Sequence, residues 1–169
     1  MTLDTPTRSP DATAPLPERV AAEPAVERAA EPRQREAAAK EVVGPRVLLV
    51  DDNAELAASL ALALSEEGVL VDCVGSAENA KTVFAGRRYD AVVIDLVMPG
   101  THGMALLADL RESPQGKGVP AVLLSELPKG ETRDHARRLV GKLKRAAFLD
   151  KPASPRRLLV TLGQVTAAR

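Results

Sequence analysis

The chain of 169 residues has no tryptophan and only three aromatic side chains, Phe84, Tyr89 and Phe148. A core must therefore be built from Leu, Val, Ile and Ala. The single cysteine, Cys73, excludes an internal disulfide framework and fits a reducing cytosol. It reads as a small apolar residue on a buried strand rather than a redox centre. No apolar run approaches the roughly 20 residues of a membrane span. No apolar stretch follows the first basic residue, as a secretory signal would require, so the expected location is cytoplasmic. Neither charge is in excess: 23 Lys and Arg stand against 23 Asp and Glu, which removes any global argument for nucleic acid or an acidic partner.

Residues 1–44 are poor in large apolar side chains. Their apolar content is almost all Ala with isolated Val, and six prolines interrupt any long helix. Such a segment cannot bury enough area to offset its ordering entropy, so a disordered tail is expected over 1–44. Arg33–Val43, rich in Ala, Glu and Arg, has the composition of a transient helix. A solvated leader is a better reading of it than a docking segment. Residues 45–169 are expected to form one domain.

From Arg46 onward, apolar runs alternate with helical patterns. Strands are expected over Arg46–Val50, Val69–Val74, Tyr89–Ile94, Val119–Leu124 and Ala147–Leu149. The third is apolar enough for a strand buried on both faces. Helices are expected over Asn53–Glu67, from Ser76 to Ala85, and over Gly103–Arg111, Glu131–Arg145 and Ser154–Thr166. Leu56, Leu60 and Leu64 mark one face of the first, and Gly68 its stop. Ser76 has the chemistry of an N-cap and Pro155 that of a helix start. Five βα units joined by right-handed crossovers predict a flavodoxin-like, doubly wound α/β fold, a five-stranded parallel sheet of order 2-1-3-4-5.

In such a sheet the carboxyl ends of the strands gather in one crevice, where ligands bind. Four pieces of this sequence end there: Asp51-Asp52, Asp95, Ser125 and Lys151-Pro152. Three carboxylates that close repel one another unless something cationic lies between them. Their oxygens suit Mg²⁺, a hard cation often held by one or two carboxylates plus phosphate. A metal, a hydroxyl and an ammonium around one carboxylate are the groups needed to place a phosphoryl group on it. Taken singly, each residue has a plainer reading: Asp95 or Asp52-Asn53 capping the next segment, Lys151 a surface lysine before a turn proline, Phe148 core packing.

The ordered set resembles the receiver domain of two-component response regulators. The resemblance is carried by Val47-Leu48-Leu49-Val50-Asp51-Asp52-Asn53, Val92-Val93-Ile94-Asp95-Leu96-Val97-Met98-Pro99-Gly100, Val122-Leu123-Leu124-Ser125 and Phe148-Leu149-Asp150-Lys151-Pro152, and covers about residues 45–168. It implies that Asp95 is the phosphoacceptor and that Asp52 binds Mg²⁺ directly. It also implies that Asp51 acts through water and that the backbone carbonyl of Val97 is a further ligand beside Asp95. Lys151 is implied as the phosphate clamp, paired with Asp95 at rest, with a cis bond before Pro152. Ser125 is implied as the switch hydroxyl and Phe148 as the aromatic switch residue. The implied donor is a phosphohistidine on a histidine kinase or phosphotransfer protein. Self-phosphorylation of this kind does not make the chain a turnover enzyme.

Three departures from the family pattern carry expectations. Glu126 follows the switch hydroxyl where a small residue is usual, so it is expected to crowd the crevice, repel phosphodonors or alter dephosphorylation. Val97 offers no polar handle to an attacking water, which predicts slow loss of the phosphoryl group. The interval from Ser125 to Lys151 is a few residues long, which predicts a longer fourth helix and unusual partner specificity. Residues 126–169 carry eleven Lys and Arg against four Asp and Glu. That excess reads first as a solvated helix face. It reads second as a docking surface for a downstream protein, formed by the fourth helix, fifth strand and fifth helix. Nucleic-acid binding ranks behind both, because no recognition motif or stacking aromatics accompany the charge. With Arg169 directly after the fifth helix, a stand-alone response regulator is the leading expectation. The alternative is a phosphorylation-independent, receiver-like binding scaffold with Glu126 blocking the chemistry. A Mg²⁺-dependent phosphohydrolase ranks last, since Val97 stands where a second catalytic acid would be needed.

Overall fold

The computed structural model describes residues 44–168. The readings of a tail over 1–44 and of a helix over Arg33–Val43 therefore lie outside the described residues, apart from Gly44. Within them, β1 (Arg46–Val50), β2 (Leu70–Val74), β3 (Ala91–Asp95), β4 (Ala121–Ser125) and β5 (Ala146–Asp150) alternate with α1 (Ala54–Glu66), α2 (Ala77–Gly86), α3 (Gly103–Glu112), α4 (Glu131–Gly141) and α5 (Pro155–Ala167). All strand pairs are parallel, and the order is β2-β1-β3-β4-β5. This is the expected flavodoxin-like arrangement.

The central strands β3 and β4 are buried along their whole length, as continuous Val, Ile and Leu runs require when both faces are covered. Their side chains alternate between two cores. Leu48, Val92, Ile94 and Leu123 face Phe84, Leu106, Leu107, Leu110, Ala136 and Val140 of α2, α3 and α4. Leu49, Val93, Val122 and Leu149 face Ala57, Leu60, Leu64, Leu158, Leu162 and Val165 of α1 and α5. With so few aromatics, only Phe84 and Tyr89 stack, at 5.7 Å between ring centroids.

The caps expected at Asn53 and Ser76 form, their side chains accepting from the N–H groups of Leu56 and Asn79 to start α1 and α2. Ser154, expected as the first residue of the fifth helix, is instead its cap and accepts from Arg157 N–H. Gly68 takes the left-handed conformation after α1, with φ of 81°. Two expectations need correction. Cys73 is exposed rather than buried, because β2 is an edge strand. The fourth helix is shorter than Glu131–Arg145: it stops at Gly141, and Arg145 turns to φ of 53°. The Arg145 guanidinium there donates to the carbonyls of Gly118, Val165 and Thr166. The extra length before β5 is thus a turn, which the sequence conceals because Leu143 and two lysines continue a helical pattern.

Candidate functional site

Parallel pairing brings the carboxyl ends of β1, β3, β4 and β5 to one edge of the sheet. Alternation carries Asp51, Asp95 and Lys151 to the side of Leu49, Val93 and Leu149, and Ser125 to the side of Leu123. Asp51, Asp95 and Ser125 are the buried polar residues of the described chain. Carboxylate oxygens of Asp51, Asp52 and Asp95 lie within 4.8 Å of one another, with Asp52 exposed and the other two buried.

Lys151 is the cation at this cluster. Its side chain is only 4% exposed, with Nζ 2.7 Å from Asp95 Oδ2 and 2.8 Å from Asp51 Oδ2. Burial alone would push its ammonium down. The two carboxylates outweigh burial and hold it above the ordinary lysine value. The contact with Asp95 is a hydrogen bond. The contact with Asp51 is a charge contact off the hydrogen-bond direction, so Asp51 Oδ2 is buried without a hydrogen-bond donor.

Backbone donors fix the rest. Asn53 N–H donates to Asp51 Oδ1 at 2.9 Å, and Val97 N–H to Asp95 Oδ1 at 3.0 Å. Leu127 N–H donates to Ser125 Oγ at 3.1 Å, and Lys151 N–H donates to the Ser125 carbonyl at 2.8 Å. The Lys151–Pro152 peptide is cis. Gly103, at the start of α3, packs so closely on the Asp95 carbonyl that a Cβ would overlap it.

Three carboxyl groups gather here, one ammonium bridges two of them, and one carboxylate oxygen has no hydrogen-bond donor. That donor set, all oxygen and partly solvent-facing, fits a hard divalent cation such as Mg²⁺. Above it opens a cleft of about 410 Å³ lined by Asp52, Asn53, Asp95, Val97, Glu126, Leu127, Pro128 and Lys151. Asp51 and Ser125 lie beneath this surface. The Glu126 side chain is 67% exposed at the mouth, with Oε1 3.8 Å from Lys151 Nζ, so it lines the cleft and leaves it open. Val97 is 51% exposed on the rim.

Phe148 is not part of the cleft. It is half-buried on the side of α4, with the Arg137 guanidinium 5.5 Å from its ring centre. Next to it lies a group that motif reading passed over. Arg133 donates through Nε and Nη2 to both carboxylate oxygens of Asp150, at 2.7 and 2.5 Å. Arg137 adds a contact at 3.6 Å. The signal was present in the sequence as two arginines four apart on one helix face. No helix among the described residues is long and apolar enough to cross a membrane.

Comparison with known proteins agrees with this geometry. The sequence model described as the response regulator receiver domain matches residues 47–162. The transcriptional regulatory protein TcrA of Mycobacterium tuberculosis is 40% identical over 84 residues, which are 50% of this chain and 32% of TcrA. Protein PetR of Rhodobacter capsulatus is 32% identical over 123 residues, 72% of this chain and 48% of PetR. The chain thus spans about half or less of these curated relatives. Among solved structures, a putative response regulator from Chloroflexus aurantiacus superposes with a TM-score of 0.65 at 27% identity, covering 73% of this chain and 98% of the other. The chemotaxis response regulator CheY4 of Vibrio cholerae superposes with a TM-score of 0.64 at 25% identity, covering 72% and 98%. With the 2-1-3-4-5 parallel sheet, the buried Asp51–Asp95–Lys151 cluster at its carboxyl edge and a family match over residues 47–162, the chain belongs to the response regulator receiver domain family.

Proposed function

We propose that this receiver domain accepts a phosphoryl group on Asp95 from a phosphohistidine of a histidine kinase or phosphotransfer protein, and signals by phosphorylation-dependent binding of another protein. The observation that carries the reading is the buried Lys151 ammonium, 2.7 Å from Asp95 Oδ2 at the floor of an open cleft. An Asp95 oxygen attacks phosphorus in line, the P–O bond forms as the P–N bond breaks, and the imidazole leaves. Lys151 Nζ moves its contact from the Asp95 carboxylate to a phosphoryl oxygen. Ser125 Oγ then donates to a second phosphoryl oxygen. Asp51, Asp52, Asp95 and the Val97 carbonyl are the groups that would hold Mg²⁺, which when bound supplies charge neutralisation for the transferring group.

Ser125 and Phe148 are the switch positions of this scheme, on adjacent strands β4 and β5, and the output surface is the face of α4, β5 and α5. The domain modifies itself and turns over no separate metabolite. Glu126 lines the mouth of a cleft that stays open, which favours this reading over a scaffold blocked from phosphorylation.

The test is intact mass after incubation with acetyl phosphate and Mg²⁺, with Asp95→Asn as control. A phosphoryl gain in the wild type alone is the expected result. No gain, even from a phosphohistidine donor, overturns the proposal and makes Glu126 the first residue to replace.

A further inference from the structure

β5 pairs only with β4 among the described residues, and the residue directly after it is Lys151, the cation of the cluster. No described strand lies on the outer side of β5, so the position of that strand end depends on what packs on its faces. On one face lies α4. This helix buries only Ala136 and Val140, a thin apolar anchor for eleven residues. Its directional hold on β5 is polar. Arg133, 15% exposed, grips both oxygens of Asp150, the residue directly before Lys151. Arg137, one turn on, reaches the same carboxylate and covers Phe148. A planar guanidinium in a two-point fork fixes direction as well as distance, which a lysine cannot do. The fork also holds the Asp150 carboxyl below its usual range, so it stays ionised.

Asp150 and Lys151 project to opposite sides of the strand end. Asp150 pairs in register with Ser125, and Lys151 N–H donates to the Ser125 carbonyl. Rotation or withdrawal of Asp150 therefore moves the Lys151 backbone and its contact with Asp95.

We propose that Asp150 and Arg133 are positioning residues for phosphoryl transfer: their fork ties the docking of α4 to the placement of Lys151 against Asp95. This rests on the phosphoryl-acceptor reading of the cleft. Neither residue touches the phosphoryl group. A ligand that draws Arg133 away from Asp150 releases Lys151, and by reciprocity a phosphoryl group that holds Lys151 favours the docked helix.

The experiment is a double-mutant cycle with Asp150→Asn and Arg133→Gln in the full chain. It is read by the rate of Asp95 phosphorylation and by hydrogen exchange of the Lys151 amide. Each single variant is expected to slow phosphorylation about tenfold and to speed Lys151 exchange about tenfold. The double variant is expected to be no worse than the weaker single, because one interaction is being removed twice. Arg138→Gln, exposed on the same helix, serves as the control and leaves both readouts unchanged. If Asp150→Asn does not fold, Arg133→Lys keeps the charge, loses the fork and is read the same way.

Single variants that lower thermal stability but leave rate and exchange unchanged overturn the proposal. So do losses that multiply in the double variant. A wild type that takes up no phosphoryl group at all sinks the phosphoryl-acceptor reading instead, and Lys151 exchange alone then decides the positioning role.

Discussion

Replacing Lys151 with methionine removes the cation from the cluster while keeping most of the side-chain volume. Each of its contacts, at 2.7 and 2.8 Å, is worth about 6 kcal/mol of gross attraction at an effective dielectric constant of roughly 20. Much of that is offset by the several kcal/mol needed to desolvate the ammonium. The carboxylates stay behind, buried and close, so the expected net loss is about 3–5 kcal/mol, the usual cost of breaking a buried pair from one side. For about 125 described residues, 1 kcal/mol corresponds to roughly 4 °C, so Tm should fall by about 12–20 °C. Thermal and urea unfolding followed by circular dichroism, without divalent cations, measures this. Mg²⁺ should restore a large part of the lost stability, since it would replace the missing positive charge. A loss below about 1 kcal/mol, or a variant indifferent to Mg²⁺, would refute the account of the cluster as two buried carboxylates, Asp51 and Asp95, held together by one ammonium.

Tyr89 is the only tyrosine, and burial, together with its hydrogen bond to Asp72, raises its phenol to about 12. Absorbance at 295 nm should therefore titrate near 12 in the folded protein and near the ordinary 10.0 in urea. The folded state holds this proton more tightly, so the stability tied to it is intact below pH 10.0 and is lost as pH rises through about 12. Tyr89→Phe should flatten that slope, and an unchanged alkaline profile would count against the Asp72 contact. Gly103→Ala should cost about 1–3 kcal/mol by overpacking against the Asp95 carbonyl, and should slow phosphorylation because α3 pushes on the acceptor. Equal stability and equal rate would show that the close approach is not real. Val97→Asn, at an exposed apolar rim position, should speed loss of the Asp95 phosphoryl group about tenfold by giving water a polar partner. Decay that is already fast, and unaffected by the change, would dismiss the apolar-rim argument.

The order of elements was legible because its signals are local. Leu56, Leu60 and Leu64 repeat at helical spacing, Asn53 and Ser76 cap the helices that begin after them, and Ala91–Ile94 is a continuous apolar run that forms a buried strand. The site was legible for a related reason. In a parallel sheet every strand ends on the same edge, so residues placed after apolar runs must meet. The misread elements fail where no local signal exists. Cys73 sits between Asp72 and Val74, a mixed pattern that does not say which face or which strand position it takes, and the strand order places it on an edge strand. Residues 142–145 continue a helical pattern, yet Arg145 finds three carbonyls at the foot of the sheet and turns to reach them.

Sequence alone therefore determined the fold class, the crevice and the residues gathered at it, because periodicity, capping and strand ends depend on near neighbours in the chain. Tertiary structure alone decided how those residues share charge. Lys151 lies between Asp51 and Asp95, Asp51 Oδ2 is left without a donor, Glu126 stays at the mouth, and Arg133 closes on Asp150. Coulomb and hydrogen-bond energies depend on ångström distances and on burial. Both are set only when α4 packs on β5 and the pairing of β1 with β3 brings carboxylates distant in the chain to within 4.8 Å.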